Sequence, residues 1–343
     1  MELHLIDRSR TDPWSGAGQP RELMVTVTYP PENVRGRTML PWLPQGAERA
    51  LKARYGGALD AYALPATHST DSAPARRGRR PVLLYSPGYQ SDRTFHTLVV
   101  EELVSWGYVV VTVDHPYDSG EVEFPDGRVV VFRPTGDDDD AARAAAVAVR
   151  AADLRFVLDC LAVLNRGGNP DARRRPIPRG LPGTFDLART GAFGHSRGGA
   201  AAAAVMDVDA RVRAGLDLDG TVFGPVVERG LDRPFLLMDT AVHDNLNKDP
   251  NWPTLWKHLR GRRRCLRLAD AEHLSFTDIV AIVPQLAVSL PLPLGTIPAD
   301  AAVAAARATV RAFFDAHLRG RPDTSHVLTG ASPRYPEVRY VAG

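Results

Sequence analysis

The run GHSRGG, residues 194–199, places a single serine among glycines where one kind of element changes into another. An apolar, strand-like run (RTGAF) precedes it, and a helix-forming run (AAAAAVMD) follows. A nucleophile elbow requires this order, because its serine occupies a sharp strand-to-helix turn that neighbouring side chains would obstruct. The free N–H groups at the start of the helix favour negative charge nearby. We therefore predict that Ser196 is the nucleophile of a serine hydrolase.

A nucleophilic serine needs a histidine to remove its proton, and in folds with this elbow the histidine comes last in the chain. His273 follows the last predicted sheet strand, in RLADAEHLSFTD, which is where such a histidine belongs. His258 and His317 lie in amphipathic helical patterns, and His326 lies in a polar tail. We predict that His273 is the base, with His243, in the loop DTAVHDNLNKD, as its rival.

Two aspartates compete for the role of the acid that orients the base. Asp219 ends the strand AGLDL, and Asp239 ends the next strand, PFLLMD. Both project from the carboxyl edge of the predicted sheet, where ligands bind in such folds. Asp217 alternates with Asp219 and points to the other face. The residues alone leave Asp219 and Asp239 level.

An oxyanion hole requires two backbone N–H donors. One is predicted at Arg197, directly after the nucleophile. The other is expected in the loop that follows the strand PVLLYS. Pro87 has no N–H, so we predict Tyr89 as the second donor, with Gly88 allowing close approach.

The elements around these residues alternate between strand and helix. PVLLYSPG, TFHTLVVEELVSWGY and VVVTVDH form a strand, a helix and a strand, and their continuous apolar runs are typical of a parallel sheet. Two half-buried strands precede them and a hairpin turning at residues 126–127 follows. Later strands are predicted at 190–193, 214–218, 234–239 and 264–269, with helices at 137–164, from 197, at 252–259 and at 299–318.

This pattern predicts an α/β-hydrolase fold, with a mostly parallel, doubly wound sheet and antiparallel N-terminal strands. We expect one domain over residues 1–343. Residues 31–80 are predicted either to cover part of the site or to form a surface connection, and residues 320–343 form a C-terminal tail.

Composition narrows the classes of partner. The chain has 343 residues and a net charge of +2, which argues against nucleic acid as a partner. Its two cysteines are expected to be buried thiols, and no spacing of Cys or His indicates a metal. We find no leader and no apolar run long enough to span a membrane, which predicts a cytoplasmic protein unless a leader has been removed.

Several stretches together resemble the platelet-activating-factor acetylhydrolase family of lipases and esterases, over roughly residues 20 to 320. They are LLYSPGYQSDRTFHTLVVEELVSWGYVVVTVDHPYDSG, GHSRGG, GLDLDGTVF and ADAEHLSFTD. The resemblance implies a calcium-independent, cofactor-free esterase that favours short acyl chains. It also implies Asp219, rather than Asp239, as the acid. One departure is Pro87-Gly88, where the family usually has His-Gly.

We expect hydrolysis of a small-molecule or lipid ester through an acyl-enzyme. Acyl transfer or amide hydrolysis by the same triad is the nearest alternative. A non-catalytic binding protein on this fold is a further alternative, although such proteins typically lose the serine or the histidine. The natural substrate and the oligomeric state are not specified by the sequence.

Overall fold

A computed structural model describes residues 1–16, 18–134, 139–286 and 290–343. Thirteen strands occur in the described residues: β1 Glu2–Thr11, β2 Pro20–Thr28, β3 Met39–Pro41, β4 Ala66–Thr70, β5 Arg80–Ser86, β6 Val109–Asp114, β7 Glu121–Glu123, β8 Val129–Val131, β9 Phe185–His195, β10 Val212–Leu218, β11 Phe235–Thr240, β12 Arg263–Leu268 and β13 Val338–Ala342. The helices are α1 Gln45–Arg54, α2 Thr97–Ser105, α3 Asp140–Asn165, α4 Arg197–Val208, α5 Val226–Arg229, α6 Asn245–Lys248, α7 Trp252–His258, α8 Ile279–Ile282 and α9 Ala299–Arg319.

Nine of the strands form one sheet in the order β1-β2-β6-β5-β9-β10-β11-β12-β13. The six strands from β6 to β12 in this order are parallel. Strands β1 and β2 join one edge antiparallel, and β13 joins the other edge antiparallel. The sheet is therefore mostly parallel with antiparallel N-terminal strands, as the alternation of elements predicts.

Apolar side chains cover both faces of the sheet, because successive residues of a strand point to opposite sides. In β5, Val82 and Leu84 pack into one core with α3, α4 and α7. Leu83 and Tyr85 pack into the other core with α2 and α9. Burial on both faces explains why the central strands are continuous apolar runs instead of alternating ones.

The carboxyl ends of the parallel strands meet at one edge of the sheet. β5 leads there into the loop that begins at Pro87, β9 leads to Ser196, and β10 leads to Asp219. β11 and β12 end at the same edge, before the loops that carry His243 and His273. The predicted nucleophile, base and oxyanion donors therefore all come after strand ends on this side of the sheet, together with Asp219, while Asp239 is the second-last residue of β11.

The predicted C-terminal tail contains β13, which pairs with β12; the sequence analysis does not predict this strand.

The four aspartates at 137–140 are predicted to begin a helix, but residues 137 and 138 lie outside the described residues. Asp139 caps α3 by accepting a hydrogen bond from the Ala142 N–H at 2.8 Å. In the described part of the chain, we find no helix with the length and apolar character needed to cross a bilayer.

The ring of Phe314 supports the strand that carries the proposed nucleophile. It is fully buried and packs 6.0 Å from the ring of Phe193 in β9. A Cβ on Gly191 of the same strand would lie only 2.5 Å from this ring, so the ring fills the space that the glycine leaves. We expect Phe314→Ala to lower the free energy of unfolding by about 3–5 kcal/mol in urea denaturation.

The exposed Val163 of α3 provides the control for this prediction. Val163→Ala should change stability by no more than about 0.5 kcal/mol. Equal losses in the two variants would contradict the assigned role of Phe314.

Candidate active site

The backbone of Ser196 has the strained conformation of a nucleophile elbow. Its φ is +56° and its ψ is −127°, a region that residues with side chains rarely occupy. Its N–H donates to the Leu218 carbonyl at 2.8 Å, and its own carbonyl accepts from the Gly199 N–H at 2.8 Å. The serine is thus held between the end of β9 and the start of α4, with its side chain at the helix N-terminus.

Glycines near Ser196 permit this turn. A Cβ on Gly194 would lie 2.2 Å from the Gly198 carbonyl carbon, and one on Gly198 would lie 1.9 Å from the Ser86 carbonyl oxygen. A Cβ on Gly199 would lie 1.6 Å from a carboxylate oxygen of Asp217. No side chain fits at these distances, so all three glycines of the motif are required by close packing.

His273 and Asp219 lie in direct contact. The Nδ1 atom of His273 is 2.7 Å from Oδ2 of Asp219. An ionised carboxylate only accepts hydrogen bonds, so Nδ1 carries the proton and donates it. This leaves Nε2 of the neutral ring with a free lone pair, as a general base requires.

The residue before the serine holds the backbone of His273 in place. Nε2 of His195 donates to the His273 carbonyl at 2.9 Å. Burial lowers the pKa of His195 well below its ordinary value, so the ring is neutral and has one N–H to donate. The predicted roles of Ser196 and His273 as nucleophile and base require that the two side chains come within hydrogen-bonding distance during turnover. The hydrogen bonds of the described residues do not include one between them, and such contacts often form only with substrate bound.

Asp239, the alternative acid, has other partners. Its carboxylate accepts from Nε and Nη2 of Arg267, each at 2.8 Å, and from the Asn245 N–H at 2.8 Å. Asp217 also has another partner: it accepts from the Gly220 N–H at 3.0 Å, and its Oδ1 lies beside Gly199 at the start of α4. Burial raises the pKa of Asp217 well above its ordinary value, and the nearby charge of Asp219 raises it further.

A second histidine also contacts Asp219. Nδ1 of His243 lies 2.7 Å from the same Oδ2 atom that His273 contacts. This hydrogen bond raises the pKa of His243, since the carboxylate stabilises the charged ring. Among the described residues, Asp219, His243 and His273 form a group able to hold a metal, with ligand atoms within 4.8 Å of one another.

The loop after β5 lies against the proposed nucleophile. A Cβ on Gly88 would be 3.4 Å from the Cβ of Ser196 and 3.1 Å from Nδ1 of His195. The next residue, Tyr89, has an exposed ring, and the Arg197 guanidinium lies 3.9 Å from its centre. The two residues predicted to supply the oxyanion donors, Tyr89 and Arg197, are therefore close in space, with their side chains in contact.

A fully buried arginine, Arg150 of α3, binds this loop from behind. Its guanidinium donates to the carbonyls of Pro87 and Gly88, the second at 3.2 Å. In a trans peptide the N–H points opposite to the carbonyl. Because the Gly88 carbonyl faces Arg150, the N–H of Tyr89 faces away from it.

A single carboxylate links this arginine to the residue after the nucleophile. Oδ2 of Asp118 accepts from Nε of Arg150 at 2.5 Å, and Oδ1 accepts from Nη1 of Arg197 at 2.5 Å. Burial alone would raise the pKa of Asp118, but the two arginines hold it below its ordinary value. The loop after β5 and the start of α4 are thus tied together by ion pairs.

Sequence reasoning missed three of these residues. His195 was available as the variable position of the elbow motif, next to the serine. Arg150 and Asp118 had weaker signals: an arginine within an apolar helical pattern, and an aspartate just after a strand end. Only their spatial contacts distinguish them from surface charges.

Comparison with solved structures defines the class of protein. A ferulic acid esterase from Streptomyces cinnamoneus superposes with a TM-score of 0.84 and 36% identity, covering 99% of this chain and 95% of that chain. The predicted α/β-hydrolase fold is therefore confirmed.

The chain belongs to the family described as platelet-activating factor acetylhydrolase, isoform II, whose model matches residues 47–326. A probable 1-alkyl-2-acetylglycerophosphocholine esterase of Arthroderma benhamiae is 30% identical over 99% of this chain and 90% of its own length. A platelet-activating factor acetylhydrolase of Cavia porcellus is 20% identical over 72% of this chain and 60% of its own length. These matches confirm the predicted family resemblance. Together with the match to the Streptomyces esterase, they show that the chain is a carboxylic ester hydrolase.

The contacts of Arg150 predict a positioning role in turnover. Arg150→Lys keeps a positive charge but cannot donate to two carbonyls and Asp118 with the same geometry. We expect kcat to fall on the order of 10- to 100-fold with little change in KM, compared with about 10²–10³-fold for loss of an oxyanion donor. Steady-state kinetics on one activated ester would measure this.

Arg233 provides a matched control, because it also donates to backbone carbonyls, those of Met206, Asp209 and Val212. It lies just before β11, near the amino ends of the parallel strands, whereas the proposed site lies at their carboxyl ends. Arg233→Lys should leave kcat within about twofold. A loss confined to stability in both variants would refute a positioning role for Arg150.

Proposed function

We propose that Ser196, His273 and Asp219 form the catalytic triad of this esterase. The single observation that supports this most strongly is the 2.7 Å contact between His273 and Asp219 at the edge where the elbow presents Ser196. Asp219 holds the His273 ring with the proton on Nδ1. Nε2 then removes the proton from Ser196 as its oxygen attacks the ester carbonyl.

We propose the N–H groups of Tyr89 and Arg197 as the oxyanion hole. The attack places negative charge on the carbonyl oxygen, and two fixed donors stabilise this charge in the transition state. Two features support the assignment: Gly88 lies against Ser196, and Arg150 orients the peptide that carries the Tyr89 N–H. The start of α4 adds its dipole to the N–H of Arg197.

His273 then donates its proton to the departing alcohol, leaving an acyl group on Ser196. A water molecule, activated by the same histidine, attacks this acyl-enzyme and releases the acid. Acyl transfer would differ only in that an alcohol or amine replaces this water. Hydrolysis is the assignment that the named esterases among the relatives support.

We propose that the substrates are esters of short acyl groups. The name of the Arthroderma relative indicates an acetyl ester of a glycerophosphocholine, which makes an acetylated lipid one candidate. An aromatic acyl group is a second candidate, because the exposed Tyr89 ring, which follows Gly88 beside Ser196 and lies 4.9 Å from the perpendicular ring of Phe132, offers an aromatic contact. The structural relative is named for ferulic acid.

We propose that residues 31–80 cover part of this site within a single domain. Arg54, at the end of α1, donates to the carbonyl of Gln90 at 3.2 Å, one residue after the proposed donor Tyr89. It also pairs with Glu121 of β7 at 3.1 Å.

The cytoplasmic location of this protein stays a prediction from the sequence.

Replacement of the nucleophile tests the proposed function. Ser196→Ala should abolish turnover of p-nitrophenyl esters from acetate to palmitate and of methyl ferulate, leaving only ~10³–10⁴-fold catalysis over water. In the wild type, we expect kcat/KM to fall as the alkyl chain lengthens. Retention of more than a few per cent of activity in the folded variant would show that another residue is the nucleophile.

Replacement of the two aspartates tests the choice of acid. Asp219→Asn removes the negative charge and replaces one carboxylate oxygen by an NH2 group, which can donate to Nδ1 of His273 and favour the inactive tautomer; it should lower kcat on the order of 10⁴-fold. Asp239→Asn weakens the pair with Arg267 and should act mainly on stability. We would measure kcat and thermal unfolding for both variants on one short-chain ester. A larger loss of kcat in Asp239→Asn would exchange the two roles.

A further inference from the structure

We propose that Asp219, His243 and His273 form an inhibitory binding site for a divalent transition-metal ion such as Zn²⁺. The proposal rests on the proposed function, since it places the ion on the acid and the base of the triad. It assigns a role to His243, which the hydrolytic mechanism does not use. One carboxylate and two imidazoles are a common donor set for zinc.

The three donors already converge on one point. Nδ1 of His243 and Nδ1 of His273 each lie 2.7 Å from Oδ2 of Asp219. Two ligands of a tetrahedral zinc ion, bound at ~2.0–2.1 Å, are about 3.3 Å apart. All three ligand atoms here lie within 4.8 Å of one another. Side-chain shifts of about an ångström therefore suffice to admit the ion.

The surroundings of the three residues suit an ion with a double positive charge. The side chain of Asp219 is fully buried, and its second oxygen accepts from Nδ2 of Asn245 at 3.3 Å, which orients the carboxylate. The side chain of His243 is 41% exposed, so the ion has a path from solvent. Asp239 and Glu272 add negative potential near His243. Two nitrogen donors favour zinc, cobalt or copper over magnesium or calcium.

Binding would stop catalysis through the tautomer of His273. The ion needs the Nδ1 lone pairs of both His243 and His273, so each Nδ1 proton moves through solvent to Nε2 of its own ring. A ring with the proton on Nε2 cannot accept the proton of Ser196. No covalent bond to carbon forms or breaks, and removal of the ion restores the active tautomer.

Calorimetry on the full chain, after chelator treatment, tests the site with Zn²⁺ as the ligand. Ser196→Ala retains all three ligands, so we expect wild type and Ser196→Ala to bind one Zn²⁺ with equal affinity. Wild-type turnover should fall at least about tenfold over the same concentration range and recover with EDTA. In Ser196→Ala, bound Co²⁺ should give the visible absorption of a four-coordinate ion. Absence of binding up to millimolar Zn²⁺ would overturn the proposal.

His243→Asn removes a ligand and retains the hydrogen bond, because the side-chain amide nitrogen of Asn lies close to the position of Nδ1. We expect it to raise the Zn²⁺ concentration for half-inhibition at least about tenfold. The control is His68→Asn, which removes the exposed histidine that pairs with Glu101 and should leave zinc inhibition unchanged. Unchanged sensitivity in His243→Asn, or lost sensitivity in His68→Asn, would refute the site.

Different measurements test the proposed function and the proposed metal site, so failure of one can be distinguished from failure of the other. If Ser196→Ala retained turnover, Ser196 would not be the nucleophile. Calorimetry and the Co²⁺ spectrum would still report whether the three residues bind an ion, because neither measurement depends on turnover. If His243→Asn were unfolded by circular dichroism, His243→Gln would repeat the comparison.

Discussion

The turn at Ser196 constrains everything around it, because a residue with a side chain adopts a φ of +56° only where its neighbours leave no alternative. The turn brings α4 so close to β5 and β10 that Gly194, Gly198 and Gly199 have no room for a Cβ. As a result, the side chain of Ser196 lies at the N-terminus of α4, beside the first N–H groups of that helix. The order of strands in the sheet then sets which loops can reach that space.

Several aspartates lie near the carboxyl ends of the parallel strands, and both burial and pairing with arginines determine which of them carry an unbalanced negative charge. Asp217 and Asp219 alternate on one chain segment, and burial raises the pKa of Asp217 well above its ordinary value, which disfavours a second negative charge beside Asp219. Asp239 is matched by Arg267, and Asp118 by Arg150 and Arg197. The carboxylate left facing two histidines is that of Asp219, which is consistent with both the proposed catalysis and the proposed inhibition by a metal.

The same network connects the two halves of the proposed oxyanion hole. Arg150 donates to the peptide carbonyls of the loop after β5. Asp118 accepts from both Arg150 and the side chain of Arg197, so it links this loop to the start of α4. A buried ion pair contributes little net stability, because desolvation of the charges offsets their attraction. These ion pairs instead fix geometry, because Arg150 and Asp118 each bind more than one partner and so hold those partners at set positions relative to one another.

The sequence by itself determined the alternation of strands and helices, the place of Ser196 in the elbow motif and the position of His273 after the last parallel strand. These depend on local periodicity and on chain order, which a sequence displays directly. Only the tertiary structure decided that Asp219 contacts His273 while Asp239 binds Arg267, and that Arg150 supports the loop at Gly88. Those contacts depend on distances between segments far apart in the chain. The family resemblance favoured Asp219, but the residue pattern alone leaves two aspartates at adjacent strand ends equivalent until those distances are known.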